Sequence, residues 1–480
     1  MKTVLMVIAL IFTITFCFIS PQAATWHITP EGAGDAPTIQ AGINVASTGD
    51  TLLLADGTYA GNGNRDISVN KAVVLRSESG LPDNCVIDCG GSELEPHRGF
   101  MFTTVSGALV EGITITNGYA PSEMYHEIGM HHLGGGIFIS FALVTISNCK
   151  IANNISEHYG GGVYCENSSS TFERCDFISN SAGFGGGGMF CCGWFALCSP
   201  NIVECTFSGN SSSGGGGISC DDADPTITSC LFSKNTAGNG GGIACGVTWV
   251  WSSPHSPIVI HCTFSGNSGG GIYCGDFCSP TLKNTIIAYS TSGGGVTCFE
   301  GSVPAISCSN IYGNAGGDWV GCIAGQLGIP YGNISVDPQF CDTLNGDYHL
   351  DVNSSCLKQG WDNLCGRPIG AYEEGCGEYT DVKDQEHKAY LTVGQPFPNP
   401  FNPLTSITYS IPEAAPVSIR IYDIHGHLVA ELDNGYRSKG EHRVSWEGKD
   451  HNGDSVASGV YFCRLQIHGR VLTRKMMLVR

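Results

Sequence analysis

A block of glycines followed by an aliphatic residue returns seven times through the middle of this 480-residue chain. The aliphatic positions are Ile137, Val163, Met189, Ile218, Ile243, Ile272 and Val296, spaced 26, 26, 29, 25, 29 and 24 residues apart. Two residues after each stands Ile139, Cys165, Cys191, Cys220, Cys245, Cys274 or Cys298. Such an i, i+2 pair on one side has the period of a strand. A second block follows, as CDFISN, CTFSGN, CLFSKN and CTFSGN. In it Cys175, Cys205, Cys230 and Cys262 lead to Phe177, Phe207, Phe232 and Phe264, then to Asn180, Asn210, Asn235 and Asn267. Cys149 and Asn154 open this series in looser form. Repetition at this period marks a solenoid, in which one unit buries its apolar side only against its neighbours. A helical solenoid is excluded, because each glycine would cost a helix about 1 kcal/mol. A period of about 25 residues suits one coil of a parallel β-helix with three short faces, stacked about 4.8 Å apart.

Each repeated residue then has a task. Glycine turns the chain with positive φ and lets coils approach. Asparagine tolerates a left-handed turn, and its amide can bond the asparagine one coil on. Phenylalanine fills the wide part of the core, and cysteine serves as a small buried apolar residue. Stacked cysteines of one column point the same way, which keeps their Cβ atoms too far apart to bridge, so the columns are expected as free thiols. Cysteines off the column are the disulfide candidates: Cys192 with Cys198, Cys274 with Cys278, and Cys85 with Cys89. No histidine shares their register, which disfavours a zinc site.

Composition narrows the class. Glycine is 67 of 480 residues without a strict third-residue period, so the chain is not collagen. Charged residues are 14% and hydrophobic residues 42%, the reverse of a disordered chain. A net charge of −20 excludes a general nucleic-acid binder. Residues 1–24 read as a secretory signal peptide: Lys2, then VLMVIALIFTITFCFI, then Ala23-Ala24. Export would permit disulfides among the 23 cysteines left once Cys17 is set aside with that segment, and no later run is apolar enough to span a bilayer in the mature chain.

The ends of the solenoid are expected to be covered. DAPTIQAGINVAS reads as a cap helix over 35–46, with Asp35 as its N-cap and Ile39, Ile43 and Ala46 along one side. TLLLADGTY and AVVLRS read as the first strands. This opening, roughly 35–76, resembles the start of pectin-lyase-like right-handed β-helix proteins. DPQFCDTLNGDYHLDVNSSC and IGAYEEGC, within 336–376, resemble their closing coil and bring four more disulfide candidates, Cys341, Cys356, Cys365 and Cys376. The repeats of 134–320 also resemble chlamydial polymorphic outer membrane proteins, as GGGI and FSGN, which implies surface display and adhesion. The expected fold is thus all-β, a right-handed parallel β-helix over 25–376 followed by a linker over 377–395.

The last segment, 396–480, carries 10 Lys and Arg against 8 Asp and Glu, unlike the acidic region before it. Alternating stretches VSIRIYD, HRVSWEG and GVYFCRLQI, broken by HG, DNG and NG, read as a small β-sandwich. PFPNPFNP, SITYSIP, IRIYDIHGHLV, WEGKDHNGDSVASGVYFCRL and the basic end RKMMLVR resemble the type A sorting domain of the bacterial type IX secretion system, an FlgD-like Ig fold. His427 departs from the basic residue that family carries after the glycine. The resemblance implies type IX machinery as a partner, and a secreted or outer-membrane-surface location.

Catalytic motifs are absent from the repeats. Between Gly134 and Pro330 the basic residues are Lys150, Arg174, Lys234 and Lys283, and Arg174 beside Glu173 and Asp176 reads as a solvated strand face. His126, Glu127, His131 and His132 miss the HExxH spacing by one residue. One constellation suggests a ligand site. Trp194 with Phe195, and Trp249 and Trp251 with His255, lie on long loops flanking a short one with Asp221, Asp222 and Asp224. Aromatic walls over a carboxylate floor could stack on sugars or hold calcium through oxygens, with no other cofactor required. The expected function is a non-catalytic exported β-helix that binds polysaccharide, cell-surface glycan or partner surfaces. The alternative is a polysaccharide lyase or glycoside hydrolase.

Overall fold

A computed structural model describes residues 23–479 except 126–128, 247–254, 300, 329, 358–362, 364, 378–391, 394–395, 397, 412–413, 425 and 468–469. The signal peptide expected over 1–24 thus falls almost wholly outside the described residues. The chain divides into two compact units, 1–377 and 378–480.

The first unit is a parallel β-solenoid. Each coil contributes three short strands, such as Val163–Glu166, Thr171–Glu173 and Asp176–Ile178. They stack into a glycine-side sheet of nine strands, a second sheet of eleven and a phenylalanine sheet of ten. Register is held without slippage through the repeats. Cys165, Cys191, Cys220, Cys245, Cys274 and Cys298 pair in one column, and Phe177, Phe207, Phe232 and Phe264 in another. Those phenylalanine rings point inward and stack nearly parallel, with centroids 4.3, 4.9 and 4.5 Å apart.

The corners explain the remaining repeated residues. At the corner after the phenylalanine sheet, Asn154, Asn180, Asn210, Asn235 and Asn267 are wholly buried. The Oδ1 of Asn210 accepts both the backbone N–H (2.9 Å) and the side-chain N–H (3.0 Å) of Asn180 one coil before. Its own Nδ2 donates to the Phe177 carbonyl at 2.8 Å. The same pattern runs along the column, and Asp318 ends it by accepting from Asn314. The left-handed residue is the one before the asparagine, namely Asn153, Ser179, Gly209, Lys234 and Gly266. The asparagine is therefore kept for its amide, and the turn falls to its neighbour.

Cysteine also does more than fill space. At the corner before the phenylalanine sheet, the Cys205 sulfur accepts the Cys175 N–H and the Cys230 sulfur accepts that of Cys205, both at 3.4 Å. Each thiol donates to the carbonyl two residues earlier, at 3.3 Å for Cys205 and Cys230. Thr285, Ser309 and Asn333 continue this column through their side-chain oxygens. At the third corner glycine is obligatory. Gly160 has φ +67°, and a Cβ on Gly161 would meet carbonyl oxygens at 2.4 and 2.6 Å.

The ends differ from the sequence expectation. The cap helix is Ile39–Val45, and Thr38 is its N-cap, accepting from the Ala41 N–H at 3.2 Å. Asp35 accepts from the His27 N–H instead, because the strand Thr25–Ile28 brings that donor alongside. Residues 340–376 do not close a coil. They form a small three-stranded sheet, and Leu350, Cys356 and Ile369 pack on Ile286 and Ala288, which lie on a strand of the phenylalanine sheet. Those apolar side chains would otherwise face water.

Among the described residues four disulfides are present: Cys245–Cys278, Cys298–Cys322, Cys308–Cys365 and Cys341–Cys376. The expected local pairs do not form. Cys85 and Cys89 are four residues apart on an extended run, about 13 Å, far beyond bridging range. Cys192 follows inward Cys191 by one residue and so faces outward, while Cys198 is in the interior cluster. Cys274 stays a buried thiol because Cys278 is taken by Cys245, and Cys356 is likewise free. Cys245 and Cys298, expected as free column thiols, are bonded because a cysteine beyond the following coil's turn reaches each of them.

In the second unit, a four-stranded sheet and a three-stranded sheet enclose Phe401, Ile419, Trp446 and Cys463. Thr392–Val393 pairs with Tyr409–Ser410, so the expected linker gives part of its length to the sandwich. No helix among the described residues is long and apolar enough to cross a membrane.

The two polar columns differ in what they tolerate. Asn210→Ala removes two acceptances and two donations in a dry site, an expected loss of about 3 kcal/mol or more in denaturant unfolding. Cys230→Ser keeps the corner pattern that Thr285 and Ser309 already use, and is expected to cost less than about 1.5 kcal/mol, against a larger loss for Cys230→Val.

Candidate functional site

From the first glycine block onward, the segment joining a glycine-side strand to the next strand is where coils differ most in length. Because coils are in register, these segments align along one edge of the solenoid. The edge carries Phe141, Leu143, Phe195, Leu197, Phe277, Phe299 and Val303, all exposed, with Phe195 at 66% and Phe277 at 56%. Sequence reasoning singled out Phe195 and missed Phe141, Phe277 and Phe299. The signal was available: each stands three to six residues after a repeated aliphatic position. Asp276 is also exposed here, and no lysine or arginine occurs in the joining segments 167–170, 193–200, 222–225, 246–257, 275–280 or 299–304.

The proposed notch assembles only in part. Trp194 does not form an outer wall. It packs against Phe138, Tyr164, Phe190 and Cys192 on the outer side of the glycine-side sheet, where an indole removes more apolar surface from water. Tyr164 stacks between Phe138 and Phe190 at 5.5 and 5.6 Å. Trp249 and Trp251 lie outside the described residues. Asp221 is buried, as is Glu166 two coils before it, which accepts hydrogen bonds from Ser140 and from the Tyr164 hydroxyl.

Asp222 and Asp224 do meet a partner, His255. Asp222 Oδ1 lies 2.7 Å from His255 Nε2, and Asp224 Oδ1 lies 3.8 Å from Nδ1. Asp224 also accepts the Ser256 N–H at 2.6 Å. The carboxylates bracket opposite nitrogens of an almost buried ring, so they clamp a loop and do not converge on a point. Among the described residues no three His, Cys, Asp or Glu side chains group as a metal site. Glu173 pairs with Arg174, which sits at a corner with φ +52°. Of the histidine-rich insertion, His126 and Glu127 fall outside the described residues. His132 meets the Ala120 carbonyl at 2.7 Å and Glu157 at 3.3 Å.

A second feature lies where the 340–376 sheet meets the solenoid. His261, Arg367, Glu373 and Glu374 line a cleft of about 600 Å³. Burial, and then Arg367 and Lys283, push the His261 imidazole below its ordinary value, so it is neutral at physiological pH. Its Nε2 lies 3.1 Å from Asn284 Nδ2.

Residues 130–253 and 191–327 match the model of the right handed beta helix region, and 403–467 that of the FlgD Ig-like domain. No curated protein matches the chain. Among solved structures, one that matches is dimeric latent PorU from Porphyromonas gingivalis, 21% identical with TM-score 0.17, covering 19% of this chain and 9% of that one. Another is a mutant of the PL6 family alginate lyase AlyGC, 13% identical with TM-score 0.24, covering 75% of this chain and 60% of that one. The chain thus spans less than two thirds of either.

The clamp makes a stability prediction. Asp222→Ala leaves the ring nitrogen of His255 without its close acceptor, and an unfolding loss of about 1–3 kcal/mol is expected in denaturant titration. From its coil register, its corner columns and these family matches, the chain is a right-handed β-helix protein with a C-terminal FlgD Ig-like domain.

Proposed function

We propose that this protein is exported and that its β-helix binds neutral polysaccharide along the aromatic edge. The observation that carries this reading is the row Phe141, Phe195, Phe277 and Phe299, exposed on loops that the coil register aligns. Rings spaced along a rigid rod offer stacking faces to successive sugars of an extended chain. The acidic edge without lysine or arginine favours a neutral chain over a uronate polymer, which like charge would repel. Residues 396–480 direct passage through type IX machinery to the surface or the medium, a reading supported by PNPFNP, GVYF and the basic end.

A second reading, cleavage of polysaccharide, is favoured by the cleft with a neutral His261 beside Arg367, Glu373 and Glu374. Assay of neutral and uronate glycans for new reducing ends or unsaturated products separates the two.

Replacing Phe195, Phe277 and Phe299 together by Ala is expected to weaken binding on a neutral glycan array by at least tenfold. That corresponds to about 0.5–1 kcal/mol per ring. Unchanged affinity would remove the edge as the binding face. Deleting 396–480 is expected to leave the β-helix inside the cell envelope, and its appearance in the medium would contradict the sorting role.

A further inference from the structure

Disulfides of the repeats follow one topology. Cys245 lies on a glycine-side strand and bonds Cys278, which stands just beyond the next coil's strand, 33 residues on. Cys298 lies on the last strand of the same sheet and bonds Cys322, in the short helix Gly321–Gln326. Neither column cysteine bonds a column neighbour, although Cys245 pairs in register with both Cys220 and Cys274. The bond goes to a cysteine arriving from the following segment, because that one approaches from a different direction.

Cys165 and Cys198 stand in the same relation. Cys165 lies on a glycine-side strand, and Cys198 lies beyond the next coil's strand, again 33 residues on. Both are wholly buried. The Cys198 sulfur is 3.6 Å from the Cys165 carbonyl oxygen, and the two thiols are hydrogen-bonded to each other. We propose that Cys165 and Cys198 form a disulfide in the exported protein, a third bond of this topology, which ties a loop of the aromatic edge to the coil before it. The loop so tied carries Phe195 and Leu197. Cys278 in the same way ties the loop of Phe277. The bond stands on the cysteine geometry and does not depend on what the edge binds.

The chemistry is thiol–disulfide exchange with an oxidised dithiol donor, a disulfide-bearing protein or small molecule. The Cys198 thiolate attacks a donor sulfur, breaking the donor S–S bond and releasing one donor thiol. The Cys165 thiolate then attacks the Cys198 sulfur of the mixed disulfide and releases the second. Two protein S–H bonds are lost, one S–S bond is formed, and the donor gains two electrons and two protons. The hydrogen bond from Cys165 holds the Cys198 thiol below its ordinary range, which suits it to attack first. Because both sulfurs are buried, exchange takes place while the 193–200 loop is closing. Cys191 and Cys220 are also hydrogen-bonded thiols, but they are column neighbours in register and stay reduced.

The test is peptide mapping of the full chain, folded with a glutathione redox pair until Cys245–Cys278 is fully cross-linked. Free thiols are alkylated in denaturant, and the protein is digested without reduction. The expected result is a cross-linked Cys165–Cys198 peptide, with Cys191 and Cys220 alkylated. In Cys165→Ser, Cys198 is expected to become alkylated and protease cleavage within 193–200 to speed up. Alkylation of both Cys165 and Cys198 in the wild type, or a Cys192–Cys198 cross-link, would overturn the proposal. Failure of glycan binding would leave this result untouched.

Discussion

Parallel coils can stack only if every corner turns the same way and leaves no buried donor unpaired. A strand in a parallel sheet meets its neighbours through evenly spaced bonds, but a corner breaks that series. At the two corners flanking the phenylalanine sheet, the amide released by the break is accepted by a side chain one coil on. Asn210 does this for Asn180, and Cys205 does it for Cys175. The acceptor is fixed by packing, so the corner cannot slip without stranding a buried N–H. Phe177 and its column neighbours then stack nearly parallel because the corners hold their backbones in register. The core follows from the corners.

The same constraint places the variable part of the molecule. Two corners are committed to ladders, and the glycine corner is crowded by carbonyl oxygens of the next coil. From the first glycine block onward, insertions are left to the joining segments after the glycine-side strands. Phe195, Phe277 and Phe299 therefore fall on one edge although their loops differ in length. Asp222 and Asp224 belong to the anchoring of that edge, through His255, and the Cys245–Cys278 disulfide ties one of its loops at the base.

Much of the coil was legible in the sequence because each column repeats one residue type. The glycine triplets, Phe177 and Asn180 could be read as inward or turning residues from spacing alone. Details of corner geometry were not legible. The left-handed residue before Asn180 is a serine and before Asn235 a lysine, so no residue type marks it. Thr38 displaced Asp35 as helix cap because a strand, Thr25–Ile28, lies upstream and takes the Asp35 carboxylate. Cys341 and Cys376, which bond each other, were legible as disulfide candidates outside the ladder, but the other pairings were not, because each joins elements from different parts of the chain, whereas the sequence invites pairing of near neighbours such as Cys192 and Cys198. Trp194 was misplaced for a similar reason: the outer side of the glycine-side sheet, with Phe138 and Tyr164, offers it apolar cover that no single repeat displays.

Amide hydrogen exchange tests the corner account most directly. If the corner columns hold the register, the backbone amides of Asn180, Asn210, Cys175 and Cys205 exchange as slowly as those of the strand centres, and only through global unfolding of the solenoid. Exchange of those corner amides at the rate of the joining loops, with the strand centres still protected, would show that the sheets and not the corners set the stacking.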